Sequence, residues 1–250
     1  MKFNLKALFL ALCAFTFSLG ILKELNFVLN FDTFLQAAFI SLATFFVYNL
    51  PSQFEFKQKN IVYTLQFTFL LILSYFVIKT YLALIILVFT FLISFFYVSS
   101  FPFLKIKIRK IPYLKSFLIS ISWTSACVIF PLLNNFANIH LNLMLSIFCF
   151  FLALTIPFDI RDFDQDQGKI KTIVGKIGMK NSKFLAVILL ILAFLCTTFS
   201  HEKIIQLILI SMTFIYFSIL ILLTKKNFSS KNFEYLLDGS IILYGLSYFI

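Results

Sequence analysis

The chain has 250 residues, 61% of them hydrophobic and only 12% charged, with a mean hydropathy of +1.01. A soluble domain is about 45–50% apolar and about 25% charged, so this composition excludes a water-soluble enzyme, a disordered chain and a secreted disulfide scaffold; it describes an integral membrane protein. The net charge of +11 would fit a nucleic-acid partner only if it were clustered, and its distribution excludes that partner.

A bilayer core of about 30 Å requires roughly 20 apolar residues per helix. Nine runs meet or approach that length: 5–22, 33–50, 61–78, 81–100, 116–133, 141–158, 184–200, 204–223 and 235–250. The first follows a basic stretch, as a signal peptide would, but no A-x-A cleavage site comes after it, so a retained helix is expected. Only Lys79 and Thr80 separate the third and fourth runs, which predicts a tight helical hairpin. The ninth is the shortest and least apolar. None shows the period-2 alternation of a membrane barrel. The prediction is an all-α, polytopic fold with nine transmembrane helices in a single domain, 1–250.

Loop charge sets the orientation. Taking alternate connections, 18 of the 21 Lys and Arg residues fall on one side, and Lys23, Lys79 and Lys203 fall on the other. The crowded side is predicted to be cytoplasmic, with the N-terminus inside and the C-terminus outside, in a bacterial-type inner membrane. Cys13, Cys127, Cys149 and Cys196 lie within apolar runs with no CxxC or Cys/His spacing, and read as small hydrophobes. His140 and His201 fall in short external connections.

Acid is scarce: ten residues in all, four of them within eight positions (Asp159, Asp162, Asp164 and Asp166) at the cytoplasmic end of the sixth run. On a continuous helix Asp159, Asp162 and Asp166 fall within an arc of about 60°, with Asp164 on another face. Stacked carboxylates repel unless a cation lies among them. Hard oxygen ligands suit Mg²⁺, which takes one or two carboxylates plus substrate phosphates and water. Gly168, Lys169 and Lys171 follow as a basic turn fit for a diphosphate. A solvated helix end whose acids pair with Arg161 and nearby lysines accounts for the same residues. Asp238, near the start of the ninth run, reads as an interfacial or helix-packing residue.

With these features the chain resembles the UbiA superfamily of intramembrane prenyltransferases. The family's DxxDxxxD motif after helix six matches Asp159, Asp162 and Asp166, and its downstream Thr and Gly match Thr172 and Gly178. Its YPxxKR motif near the end of helix four is kept in part as Phe101-Pro102-Phe103-Leu104-Lys105. The stretch Ile111-Pro112-Tyr113-Leu114-Lys115 is also similar to bacterial members. The resemblance implies a nine-helix UbiA-type bundle that transfers a prenyl group from an allylic polyprenyl diphosphate to a lipophilic acceptor. Mg²⁺ would sit at Asp159, Asp162 and Asp166, and the diphosphate at Asn49, Lys105, Lys169 and Lys171.

The family's first motif, NDxxDxxxD on helix two, is degenerate. Asn49 is present, but Leu50, Gln53 and Lys57 occupy the aspartate positions, and Glu55 is out of phase. Lys57 supplies positive charge where a second Mg²⁺ would lie, or acts as a positive-inside anchor. Two functions follow from the resemblance: a diverged prenyltransferase, or a non-catalytic member that binds a prenyl or quinone-like lipid.

Overall fold

Segments this apolar leave the backbone without water to bond, so each must satisfy its amides internally as helix. The computed structural model describes residues 5–49, 60–98, 113–166, 172–198, 204–225 and 231–249, and each predicted run is helical within them. The first four helices are α1 (Leu5–Glu24), α2 (Phe31–Asn49), α3 (Asn60–Val77) and α4 (Tyr81–Val98). The fifth run is a composite rod of α5 (Leu114–Thr124), a π-helical segment (Ser125–Ile129) and α6 (Phe130–Asn134). Next come α7 (Leu141–Arg161), the short α8 (Phe163–Asp166) and α9 (Ile173–Ile177), and then α10 (Met179–Thr198). The chain closes with α11 (Ile204–Leu223), α12 (Lys231–Leu246) and a 3₁₀ turn, Ser247–Phe249. No strand occurs among the described residues.

Six rods are long and apolar enough to cross a membrane: α1, α2, α5 through α6, α7, α10 and α11. Of the nine expected crossings, the other three are represented by shorter apolar stretches, Thr64–Val77 and Tyr81–Tyr97, and by α12, which carries Glu234 and Asp238. Most neighbours in sequence are neighbours in space: α1 packs on α2, α2 on α3, α4 on α5, α5 on α7, α7 on α10, α10 on α11 and α11 on α12, whereas α3 and α4 share a short turn but their backbones scarcely pack on each other. The series closes where α12 returns to α1. α7 is the most enclosed of the six long rods. The outward faces are the reverse of a soluble protein's, with Tyr75, Phe76, Ile204 and Ile215 all exposed. Water would drive such a surface to aggregate, whereas lipid solvates it.

The interior is aromatic. Trp123 stacks on Phe151 with ring centroids 4.6 Å apart, and Phe17 meets the same ring edge-on at 5.4 Å. Tyr244, fully buried, contacts Phe150 at 4.8 Å and Phe214 at 4.9 Å. Its hydroxyl lies 2.9 Å from Ser146 Oγ, which donates to the Ala193 carbonyl at 2.8 Å. A buried phenol needs such a partner, and this one ties α7, α10 and α12 together. Cys13 and Cys127 are buried free thiols; Cys13 donates to the Asp238 carbonyl and Ser18 donates to Cys127.

The π-helical segment was not legible as such in the sequence, although its cause is. Pro131 has no amide hydrogen and its ring crowds the preceding turn. The wider i→i−5 register just before it, in which the Phe130 amide bonds the Ser125 carbonyl, absorbs that conflict. Beyond it, buried Asn134 clamps the α3–α4 hairpin: its Nδ2 donates to the Val77 carbonyl at 3.0 Å, and its Oδ1 accepts from the Lys79 amide at 2.7 Å.

The α1–α12 seam depends on two glycines. A Cβ on Gly20 would collide with the backbone carbonyl of Gly245, and one on Gly245 would lie 2.6 Å from Phe17 Cα. Small residues let membrane helices approach at backbone distance. Gly20→Leu should therefore lower stability by about 1–3 kcal/mol or more, seen as an earlier thermal transition in detergent. Gly239→Ala, where the nearest neighbour is Phe9 Cζ at 4.0 Å, should be neutral or stabilising in the same assay.

Candidate functional site

The helix directions bring the start of α1, the end of α2, the start of α5, the end of α7 and the start of α12 to one end of the bundle. Ion pairs confirm the meeting of α5 with α7 and of α1 and α7 with α12. The predicted site residues that are described, Asn49, Asp159 and Asp162, fall here, at what we call the acidic end. The opposite end carries its own polar ties: Lys79 pairs with Asp32 at 2.9 Å, Gln36 with Asn135, and Gln206 with Glu24 at 2.8 Å.

Asp159 is 1% exposed on α7. A bare carboxylate there would be intolerable, and two groups from α5 compensate it. Lys115 Nζ lies 2.7 Å from Oδ1, and Ser116 Oγ donates to Oδ2 at 3.1 Å. Lys115 enters at the first turn of α5, just after Tyr113, whose left-handed φ of 62° turns the chain into the helix. The Tyr113 ring in turn receives Lys176 Nζ at 5.3 Å.

The continuous helix expected through Asp166 does not form. α7 stops at Arg161; Asp162 leaves helical geometry (φ −85°, ψ 3°), and α8 begins anew at Phe163. Carboxylates at a helix C-terminus oppose its macrodipole, and aspartate has weak helix propensity. Asp162 is instead gripped by its neighbour: Arg161 Nε donates to Oδ1 at 2.7 Å and an Nη to Oδ2 at 3.0 Å. The 60° arc is therefore interrupted at its middle member. Asp164 is exposed, and the Asp166 side chain lies outside the described residues. Among the described residues no three His, Cys, Asp or Glu side chains are grouped to hold a metal ion. The donor chemistry of Asp162, a hard carboxylate at the open end of a helix, still fits Mg²⁺ coordination of the kind completed by phosphate and water.

Asn49 is the last residue of α2, and its amide donates back to the Phe45 carbonyl at 2.9 Å. Lys57, Lys105, Lys169 and Lys171, together with Leu50 and Gln53, lie outside the described residues. Thr172 and Gly178 bracket α9. Thr172 Oγ1 caps it by accepting from the Gly175 amide at 3.1 Å, and Gly178, at φ 80°, allows the chain to turn directly into α10.

Glu234 and Lys6 were not singled out in the sequence, although Glu234 is one of only ten acids and lies one helical turn before Asp238. Glu234 accepts from Lys6 Nζ at 2.6 Å and pairs with an Nη of Arg161 at 2.5 Å. Phe158 supports both cations, with Lys6 Nζ 5.5 Å and Arg161 Cζ 5.2 Å from its ring centroid. Burial raises the Glu234 carboxyl, but the Lys6 hydrogen bond and the Lys6 and Arg161 charges outweigh it and hold it below its ordinary value of 4.5. Asp238 is buried on α12, and its Oδ2 has no hydrogen-bond partner among the described residues.

Beside this charged end lies an apolar cavity of about 370 Å³, walled by α2, α3, α4 and the α5–π rod. Tyr48, the residue before Asn49, and Tyr97, near the end of α4, line it at the acidic end; Ser74, Ile78 and Leu84 line it toward the opposite end. Trp123, Ala126 and Cys127 bring the π-helical register to its wall. Its size suits a small lipid or a prenyl segment.

Two outcomes follow from the ion pairs. Lys115→Met, which leaves the Asp159 carboxylate buried and unpaired, should destabilise by about 3–5 kcal/mol, with Lys115→Met/Asp159→Leu recovering most of the loss in thermal denaturation. Because the Glu234 carboxyl is depressed, its stabilisation is complete above the ordinary carboxyl value and is lost as pH falls through the folded value. The melting temperature should thus fall on acidification below 4.5, and Glu234→Gln should flatten that part of the profile.

No protein-family model matches the sequence, and neither does any curated protein. A solved structure of a digeranylgeranylglyceryl phosphate synthase, described as acting in membranes, superposes with a TM-score of 0.60 at 22% sequence identity, covering 98% of this chain and 96% of that one. The chain shares the helical fold of that synthase over nearly the whole length of both.

Proposed function

We propose that the chain is an intramembrane prenyltransferase that moves a prenyl group from an allylic polyprenyl diphosphate to a lipophilic acceptor. The observation that carries this reading is the apolar cavity whose Tyr48 and Tyr97 end shares one end of the bundle with the acidic segment. The prenyl tail lies in the cavity, where the wall excludes water, and the diphosphate remains at the polar end. Asp159, Asp162 and Asp166 would hold Mg²⁺ for the diphosphate, while Asn49, Lys105, Lys169 and Lys171 would bind its oxygens and Lys57 would add charge where the first motif has lost its acids. Mg²⁺, when bound, neutralises the departing diphosphate. The allylic C–O bond breaks with its electron pair on the leaving group, and the acceptor's nucleophile bonds to the same carbon. Tyr48 and Tyr97, which line that end of the cavity, would steady the positive charge that develops between.

In this reading all nine helical rods cross the bilayer, with the acidic end in the cytoplasm. The support is the division of Lys and Arg, 18 to 3. A membrane-impermeant maleimide should label Val28→Cys, exposed between α1 and α2, from outside intact cells. It should reach Lys225→Cys, exposed after α11, only after lysis. The reverse pattern would invert the topology.

A second reading, a non-catalytic binder of a prenyl or quinone-like lipid, is favoured by the engagement of Asp159 with Lys115 and of Asp162 with Arg161. One experiment separates the two. Purified protein given a panel of allylic diphosphates and a membrane lipid extract should release diphosphate in a Mg²⁺-dependent way, and Asp162→Ala should reduce release by about 100-fold. Absence of turnover, with a co-purifying lipid that is retained regardless of Asp162→Ala, would establish the binder.

A further inference from the structure

Asp162 lies at the point where α7 has ended, so no continuing helix aims its carboxylate. Its direction comes from a side chain. Arg161 applies Nε and one Nη to the two Asp162 oxygens, and its other Nη to Glu234 on α12. A guanidinium is planar, with its donors in a fixed fork, so fixing the far nitrogen fixes the plane in which the Asp162 carboxylate is held. Glu234 is itself held from α1 by Lys6, and the Phe158 ring supports both cations. The result is one chain of charges, Lys6, Glu234, Arg161 and Asp162, joining three helices to the acidic segment.

We propose that Glu234 is a positioning residue for Asp162, acting through Arg161. The proposal rests on the reading of Asp162 as a ligand of the diphosphate's cation. Glu234 does two things. It fixes the orientation of the guanidinium, and it offsets one of the two positive charges, Lys6 and Arg161, that would otherwise depress the affinity of Asp162 for a divalent cation. Asp238, one turn further along α12, is buried near the same junction.

The test measures Mg²⁺-dependent binding of inorganic pyrophosphate to the full chain in detergent by calorimetry, with the melting temperature recorded for each variant. Glu234→Gln should weaken the apparent Mg²⁺ affinity by about 10-fold, and Glu234→Asp should restore part of it. In an Asp162→Asn background, Glu234→Gln should cause no further loss, because the two residues act as one unit. Arg161→Lys, which keeps the charge but not the fork, should reproduce the weakening should Glu234→Gln fail to fold. The proposal is overturned if Glu234→Gln lowers the melting temperature but leaves the Mg²⁺ affinity unchanged, or if its effect is the same in both backgrounds. A wild-type chain that shows no Mg²⁺-dependent pyrophosphate binding removes the ligand reading of Asp162 and this proposal with it. Binding that is equal in wild type and Glu234→Gln removes the positioning role alone.

Discussion

A carboxylate inside a membrane protein has to bring its own cation. Water is absent, the dielectric is low, and an unpaired charge costs more than the whole margin of folding. The acidic end is arranged around this constraint. Asp159 is held by Lys115 from α5, Asp162 by the adjacent Arg161, and Glu234 by Arg161 and Lys6 together. Each pair crosses from one helix to another or to the segment leaving it, so neutralising the acids also determines which helices meet. The Lys115–Asp159 pair is buried, and such a pair contributes little net stability although breaking it is costly, whereas the pairs of Arg161 and Lys6 are partly exposed.

The same logic explains why the cavity sits where it does. Aromatic packing fills the side of the bundle formed by α1, α7, α10, α11 and α12, where Tyr244, Phe150, Phe151 and Phe214 interlock. The α1–α12 seam closes at backbone distance through Gly20 and Gly245. The side formed by α2 to α5 is left open, and its wall is almost entirely apolar apart from hydroxyl groups. One half of the molecule is a tightly packed scaffold that carries the charge network; the other half encloses space next to it.

Most of the fold could be read from sequence because length and hydropathy are strong signals in a membrane. Each apolar run became a helix, and the tight turn at Lys79 and Thr80 is present. The acidic segment was legible as a cluster, since four acids in eight positions stand out against ten in the chain. Its geometry was not. A periodicity argument assumes an unbroken helix, whereas local charge pairing ended α7 at Arg161. The partners were harder still: Lys6 and Glu234 are 228 positions apart, and only three-dimensional closure of the bundle brings them together. Lys115 stood in sequence as a charge on the crowded side and as the end of the Ile111–Lys115 stretch, with nothing to pair it with Asp159.

The π-helical segment has a consequence for how this fold can change. Inserting one residue into a helical register turns everything beyond it by about 100° relative to an unbroken α-helix. Before the insertion the rod presents Trp123 to the cavity; after it, Asn134 grips the α3–α4 hairpin. The wall of the cavity and the grip on the hairpin are thus kept in phase by a single extra residue. Deleting a residue there would swing Asn134 off the hairpin, and replacing Pro131 would remove the reason for the wider turn. Cavity shape and hairpin anchorage are inherited together, so a lineage that remodels one has to re-time the other.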